Sequence, residues 1–329
     1  MSAARFDILG IGNAIVDVVA SAEDRFLSKH DMRKGSMTLV DAAGAEALYQ
    51  AMPTGQESSG GSVANSCAVA AGLGARVAYL GKVADDALGA VFRRDMQGVG
   101  VHFPSAPLVG GAPTARCLIL VTPDAERTMT VYLGACVTFG PEDVDTALIA
   151  DSAVTYLEGY LFDPPSAQAA FHVAAAAARQ AGRKVALSLS DPFCVDRHRA
   201  ALRELVAGSV DILFANEAEI CSLYEENEFA AAAERAAADT ELAVLTRSGD
   251  GSLVRRGPET VTIPAEPTQV VDTTGVGDAY AAGFLTALTA GRPLDLCGRL
   301  GSLAAAEVIS HFGGRPLADL RAMAASVGM

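Results

Sequence analysis

The chain has 329 residues, of which 39 are acidic and 25 basic, a formal net charge of −14. Half of the residues are hydrophobic and 19% are charged, which excludes an intrinsically disordered chain. The negative balance repels nucleic acid and anionic membranes, so neither is an expected partner, and a phosphate-bearing substrate needs locally concentrated positive potential.

At the N-terminus the apolar stretches are interrupted by Asp7 and Asp17 and lack a basic leader, so no signal peptide is expected. Nowhere do about 18 uncharged apolar residues run together, the length a membrane span needs. The six cysteines (Cys67, Cys117, Cys136, Cys194, Cys221, Cys297) are scattered and contain no CxxC pair. That usage fits reduced thiols in a cytoplasmic protein rather than a disulfide framework or a zinc site.

Six short apolar runs read as buried strands: FDILGIG, ARVAYLGKV, AVTYLEG, KVALSLS, VDILFAN and LAVLTRS. Between them, SVANSCAVAAGLG, AQAAFHVAAAAARQAG, RAALRELVAGS and the continuous stretch 217–239 suit helices. This alternation predicts an α/β fold with a mostly parallel central sheet and helices on both faces. Ligands in such sheets bind beyond the C-terminal ends of the strands.

Two segments depart from the rhythm. Residues 14–50 contain the β-like pieces AIVDVVA and SMTLV, and residues 112–134 read as two strands around the turn TPDAER. Neither of these strands is followed by a helix, so they fit a small antiparallel sheet. The expected division is therefore a large α/β unit from residues 1–13, 51–111 and 135–329, with a β lid from 14–50 and 112–134 covering the substrate site.

The chemistry concentrates in Val271-Asp272-Thr273-Thr274-Gly275-Val276-Gly277-Asp278, which leads into the small-residue helix AYAAGFLTALTAG. The glycines let backbone approach a ligand closely, and the unpaired first-turn N–H groups with the helix dipole form an anion site. Asp278 at its mouth can cap the helix or take a proton from an attacking hydroxyl. Phosphoryl transfer needs such a base, a charge-stabilising cradle and a metal ion. A Walker A loop is not the source of the cradle, because Val83 follows Lys82 where Ser or Thr is required. A dinucleotide fingerprint at Gly10-Ile11-Gly12 fails at Ile15, where a third glycine belongs.

The 272–284 segment closely resembles the C-terminal signature of the ribokinase-like (PfkB) kinases, and four further motifs follow the family in order. These are Gly12-Asn13-Ala14-Ile15-Val16-Asp17, Gly60-Gly61-Ser62-Val63-Ala64-Asn65, Asn216-Glu217-Ala218-Glu219 and Thr246-Arg247-Ser248-Gly249-Asp250-Gly251. The resemblance implies a ribokinase-like fold, ATP as co-substrate and Mg²⁺. It makes Asp278 the general base, with the N–H groups of Gly275, Val276 and Gly277 as the anion hole. Asn13, Asp17, Gly60, Gly61, Ser62 and Asn65 would bind substrate, Gly60-Gly61 also serving as a hinge. Asn216, Thr246, Ser248, Gly249, Gly251 and Thr274 would bind nucleotide, and Asn216 with Glu219 would organise the metal through water. Arg127 would meet the transferring phosphate. Activation by a monovalent cation such as K⁺ is a trait of the family, and its members are monomers or homodimers.

Segments 187–193 and 210–219 resemble those of the adenosine kinases within the family, which implies transfer to the 5′-hydroxyl of adenosine. Sugar kinases of the same family, acting on ribose, fructose or 2-keto-3-deoxygluconate, are the alternative. An inactive nucleotide-binding sensor is a third reading. Eukaryotic-type adenosine kinases carry an aromatic pair where Tyr160-Leu161 stands, the second ring packing on adenine. Leu161 therefore points away from adenosine, although a leucine can still pack on a purine.

Overall fold

The structure is a computed structural model that describes residues 4–124 and 126–329; Ala125 of the expected TPDAER turn lies outside the described residues, as do residues 1–3. The strands in chain order are β1 (Phe6–Ile11), β2 (Ile15–Ser21), β3 (Met37–Leu39), β4 (Gln56–Gly60), β5 (Val77–Leu80), β6 (Ala115–Val121) and β7 (Arg127–Tyr132). They continue as β8 (Ser152–Glu158), β9 (Lys184–Ser188), β10 (Ile212–Asn216), β11 (Leu242–Thr246), β12 (Ser252–Arg256) and β13 (Glu259–Ile263).

The larger sheet has the order β13-β12-β11-β10-β9-β8-β1-β5. All six runs read as strands form its parallel part, and β12 and β13 add an antiparallel edge. Successive side chains of a strand point to opposite faces, so each strand feeds two cores. In β10, Ile212 and Phe214 join a core with Phe284 and Leu300, from the helices Val276–Thr289 and Leu294–Ile309. Leu213 and Ala215 join a second core with Phe171, Leu202 and Ile220 on the other face. Helices therefore cover both sides, and the strands carry near-continuous apolar sequence because both faces are dry.

The expected helix over 217–239 is two helices, Glu217–Tyr224 and Phe229–Asp239. Glu225 takes a left-handed conformation with φ 56° and closes the first helix, its N–H and that of Glu226 bonding back to Ser222 and Cys221 carbonyls. The polar run Glu225-Glu226-Asn227 offers no apolar side chain to carry a continuous helix across that point.

The smaller sheet has the order β3-β7-β6-β2-β4. It is mixed rather than antiparallel: β2–β6 and β3–β7 are parallel, β2–β4 and β6–β7 antiparallel. It also reaches beyond residue 50, since β4 pairs with β2 from Gln56 to Gly60. The sequence QESSG of β4 lacks apolar alternation, and backbone pairing at the sheet edge, not side-chain burial, makes it a strand. Val16, Val18, Leu118 and Leu120 turn one face of this sheet into the core with Leu27 and Leu48 of the helices Asp24–Lys29 and Ala42–Ala51. The other face carries Asp17, Cys117, Ile119, Met129, Val131, Met37 and Leu39, which pair across the strands in register.

Candidate active site

Two helices present uncapped N-termini to one another, Ser62–Gly72 after Gly61 and Val276–Thr289 after Gly275. Neither glycine has a side chain to bond the first-turn N–H groups, and in the first helix Glu158 accepts from one of them, the Val63 N–H, at 2.9 Å. Gly275 has φ +73°, and a Cβ there would lie 2.7 Å from the Cα of Gly314. The turn is therefore restricted to glycine by both conformation and space. A Cβ on Gly277 would meet nothing, so this side of the turn is open to a ligand.

Asp278 sits in the first turn of the second helix, and its Oδ1 accepts from Ser62 Oγ at 2.6 Å. Ser66 Oγ donates to the Asp278 carbonyl at 3.0 Å, a second tie between the two helices. Burial pushes the Asp278 carboxyl up to about 6, against the hydrogen bonds of Ser62 and Asn65 and the charge of Arg315. That is a carboxylate at neutral pH with raised basicity, suited to accept a proton from a hydroxyl. No side-chain cap bond is made at Gly275, and the Asp278 carboxylate bonds to Ser62 of the neighbouring helix.

Asp17 lies on β2, whose alternation puts Val16 and Val18 in the core and Asp17 on the opposite side. Burial raises its carboxyl to about 6 despite the pull of Arg315 and Arg127. The Gly60-Gly61 pair has a steric reason beside any hinge role. A Cβ on Gly60 would collide with the Asp17 carboxylate, and one on Gly61 (φ +99°) with the Asn13 carbonyl oxygen. Asn13 and Asn65 are buried at the same end of the sheet.

Two side chains that organise this cluster were not singled out from sequence. Glu158, at the end of β8, is 1% exposed and accepts from Asn13 Nδ2 at 2.7 Å and from the Val63 N–H at 2.9 Å. Burial pushes its carboxyl up to about 7. Its signal was an acid closing a strand whose other residues are all apolar or small. Arg315 donates to Asn65 Oδ1 at 2.8 Å and to the Ser59 carbonyl at 2.9 Å. Standing in a GGRP loop 250 positions from Asn65, it carried no local signal.

On the adjoining side, Arg127 starts β7 and pairs with Asp272, also donating to Thr274 Oγ1 at 3.2 Å. Burial alone would raise the Asp272 carboxyl, but the Gly313 N–H, Thr274 and Arg127 outweigh it and hold it below the usual range. The chain from Thr246 makes a tight turn through Ser248 (φ 49°) and Gly251, with the Arg247 N–H bonded to the Gly251 carbonyl at 2.7 Å. A Cβ on Gly251 would strike the Ile263 carbonyl oxygen, while Gly249 faces open space.

Asn216 and Glu219 form a reciprocal capping box at the start of the Glu217–Tyr224 helix, so the structural role of the pair is real. Glu219 is nonetheless buried, and its carboxyl is pushed up to about 7 by burial and by the neighbouring charges of Asp191 and Asp278. A local excess of negative charge of this kind suits a hydrated divalent cation held through water. Among the described residues no cluster of three or more His, Cys, Asp or Glu side chains could hold a metal ion directly.

Leu161 is a core residue. It is 1% exposed and packs in the core on the other side of the sheet, in the short helical turn Gly159–Phe162. Tyr160 beside it is 43% exposed and faces Asp191, Glu219 and Asp278.

A half-buried carboxylate in the first turn of a helix that starts without a cap, with a small sheet bringing a second carboxylate and an arginine, fits a phosphotransferase of the ribokinase-like class. Residues 35–320 match the pfkB family of carbohydrate kinases, and the chain belongs to that family. Among solved structures it is similar to the adenosine kinase from Sinorhizobium meliloti, with 51% identity and a TM-score of 0.89 over 99% of this chain and 100% of that one. It is also similar to a probable sugar kinase from Rhizobium etli, with 46% identity and a TM-score of 0.90 over 99% of each chain. A curated relative, the ATP-dependent ribose-1-phosphate kinase of Halopiger xanaduensis, is 31% identical over 76% of this chain and 81% of its own length. The protein is a kinase. Among the described residues no helix is long and apolar enough to cross a membrane.

Proposed function

We propose that this kinase transfers the γ-phosphate of ATP to the 5′-hydroxyl of adenosine, giving AMP and ADP. The observation that carries the choice of a nucleoside is the ligand-facing side of the smaller sheet. Around Asp17 that face is apolar, with Ile119, Met129, Val131, Met37 and Leu39 in register. Met37 and Leu39 are 58% and 60% exposed, an arrangement that costs solvation unless a flat apolar ligand covers it. A free sugar is polar on every edge and would not gain from it. Covering roughly 100 Å² of purine contributes about 2.5 kcal/mol, on the order of fiftyfold in affinity.

In this reading Asn13, Asp17 and Asn65 hold the ribose hydroxyls, and Glu158 fixes Asn13. Asp278 accepts the proton of the 5′-hydroxyl as it attacks. The N–H groups of Gly275, Val276 and Gly277 stabilise charge on the transferring group, and Arg127 is placed to add positive charge there. Thr246, Ser248, Gly249, Gly251 and Thr274 lie at the strand ends where the nucleotide would sit. A magnesium ion, organised through water by Glu219 and Asn216, would neutralise phosphate charge.

The second reading is a sugar kinase, favoured by the 46% identity to the probable sugar kinase of Rhizobium etli and by a polar cluster that would grip any vicinal diol. The two separate in an ADP-release assay across adenosine, inosine, guanosine, ribose, ribose 1-phosphate, fructose and 2-keto-3-deoxygluconate. Adenosine leads the panel in the first reading and trails a sugar in the second.

A further inference from the structure

We propose that Arg315 is a positioning residue of this site, one that aims Asn65 at Asp278 and places a single positive charge between Asp17 and Asp278. The contact itself stands on the geometry; its consequence for turnover rests on the kinase reading above.

The geometry starts from the fork of the guanidinium. Nε donates to Asn65 Oδ1 at 2.8 Å, while Nη2 donates to the Ser59 carbonyl at 2.9 Å and to Ser59 Oγ at 3.1 Å. An asparagine whose oxygen is taken must present its NH₂ elsewhere, and that of Asn65 is directed at Asp278. Ser59 is in β4, next to Gly60 and Gly61, so the same arginine holds the end of the smaller sheet where the chain crosses to the Ser62–Gly72 helix. A lysine offers one charged centre and could not hold both partners in fixed directions.

The loop that carries Arg315 is itself strapped down. Glu307 Oε1 accepts from the Leu317 and Ala318 N–H groups at 2.8 and 2.9 Å, and the Gly313 N–H donates to Asp272 Oδ2 at 2.9 Å. Asp272 also binds Arg127 and Thr274, so the Arg315 loop is continuous with the nucleotide side of the site.

The charges complete the argument. Arg315 faces Asp17, Asp95, Asp278 and the Cys67 thiol, and burial pulls its own pKa down. Around Asp278 the other titratable groups are Glu158, Glu219, Tyr156 and Tyr160. Every one of them is neutral or negative. Arg315 is thus the cation that offsets them from the Asn65 side, and its removal leaves Asp278 among like charges. The carboxyl would then hold its proton to higher pH, and a smaller share of it would be ionised at neutral pH.

The experiment follows Asp278 directly. ¹³C-aspartate NMR of the whole protein, with Asp278→Asn as the assignment control, gives the midpoint of the Asp278 titration with no turnover needed. Arg315→Gln is expected to raise that midpoint by about one pH unit and to move the acid limb of kcat/KM by the same amount. Its kcat at pH 7 is expected to fall about twofold, because a carboxyl at about 7 is half protonated there. Arg315→Lys is expected to restore the midpoint but to keep KM for the nucleoside raised by about tenfold, because the fork on Asn65 and Ser59 is gone. A folded Arg315→Gln protein with an unmoved Asp278 midpoint overturns the proposal. So does an Arg315→Lys protein that matches Arg315→Gln in its titration. Should the unmodified protein phosphorylate no acceptor, the kinase reading falls, and the NMR titration still decides the role of Arg315.

Discussion

Arg127 on the smaller sheet pairs with Asp272 on the larger unit, and the same Asp272 holds Thr274 Oγ1 at 2.7 Å at the entrance to the Gly275 turn. The arginine that would meet phosphate is therefore already tethered beside the anion site, and its charge is matched by a carboxylate. An incoming polyphosphate competes with Asp272 for that guanidinium. Arg127→Ala is expected to lower kcat by about tenfold to a hundredfold, the scale of one lost charge-stabilising donor, with little change in KM for the nucleoside. Steady-state kinetics at saturating ATP check this. A change confined to KM would place Arg127 in substrate binding.

Asp278→Asn keeps the size of the side chain and removes the base. Turnover is expected to fall by roughly two to four orders of magnitude, with ATP affinity by calorimetry nearly unchanged. Because burial sets the Asp278 carboxyl at about 6, kcat/KM of the unmodified enzyme should decline as pH drops through that value. An acid limb near the ordinary aspartate value would contradict the environment described for Asp278.

Four carboxylates, two buried and two half-buried, leave a mark on stability. Asp17 and Asp278 are pushed up to about 6, and Glu158 and Glu219 to about 7. Each folded-state pKa lies above its unfolded value. Between about pH 4 and pH 7 the folded chain therefore binds more protons than the unfolded chain, and stability falls as pH rises through that window. The melting temperature without ligand is expected to be higher at pH 5.5 than at pH 8. Glu158→Gln should flatten the dependence while raising KM for the nucleoside, since Asn13 loses a charged anchor. Calorimetric melts across pH check the sign.

The glycine pair is testable by one methyl group. Gly61→Ala adds a Cβ at φ +99° against the Asn13 carbonyl, and Gly60→Ala drives one into the Asp17 carboxylate. Both should raise KM for the nucleoside at least about tenfold, and Gly61→Ala should also cost about 1–3 kcal/mol of stability through backbone strain. Chemical denaturation and kinetics separate the two effects.

The sequence made the parallel half of the larger sheet plain, because strands such as β10 and β11 are buried on both faces and read as unbroken apolar runs. The Gly275 turn and the helix after it were equally plain, since paired glycines ahead of a run of small apolar residues mark a tight turn into a helix. What escaped notice was long-range. β4 has a polar sequence and exists through pairing with β2, and β12 and β13 form an edge hairpin that has one wetter side. Glu158 gains its role from Asn13, 145 positions away, and Arg315 from Asn65, 250 positions away. Leu161 was likewise read by its place in a motif, and its burial in the second core follows from packing that the motif does not show.

The central claim is that the acceptor is a nucleoside, and the acceptor panel tests it most directly. With ATP and Mg²⁺ saturating, kcat/KM for adenosine is expected to exceed that for any free sugar or sugar phosphate by at least about tenfold, a modest margin for a face that covers a purine. AMP should be the product by mass spectrometry. A sugar or sugar phosphate that outperforms adenosine would contradict the account, leaving the kinase and overturning its substrate.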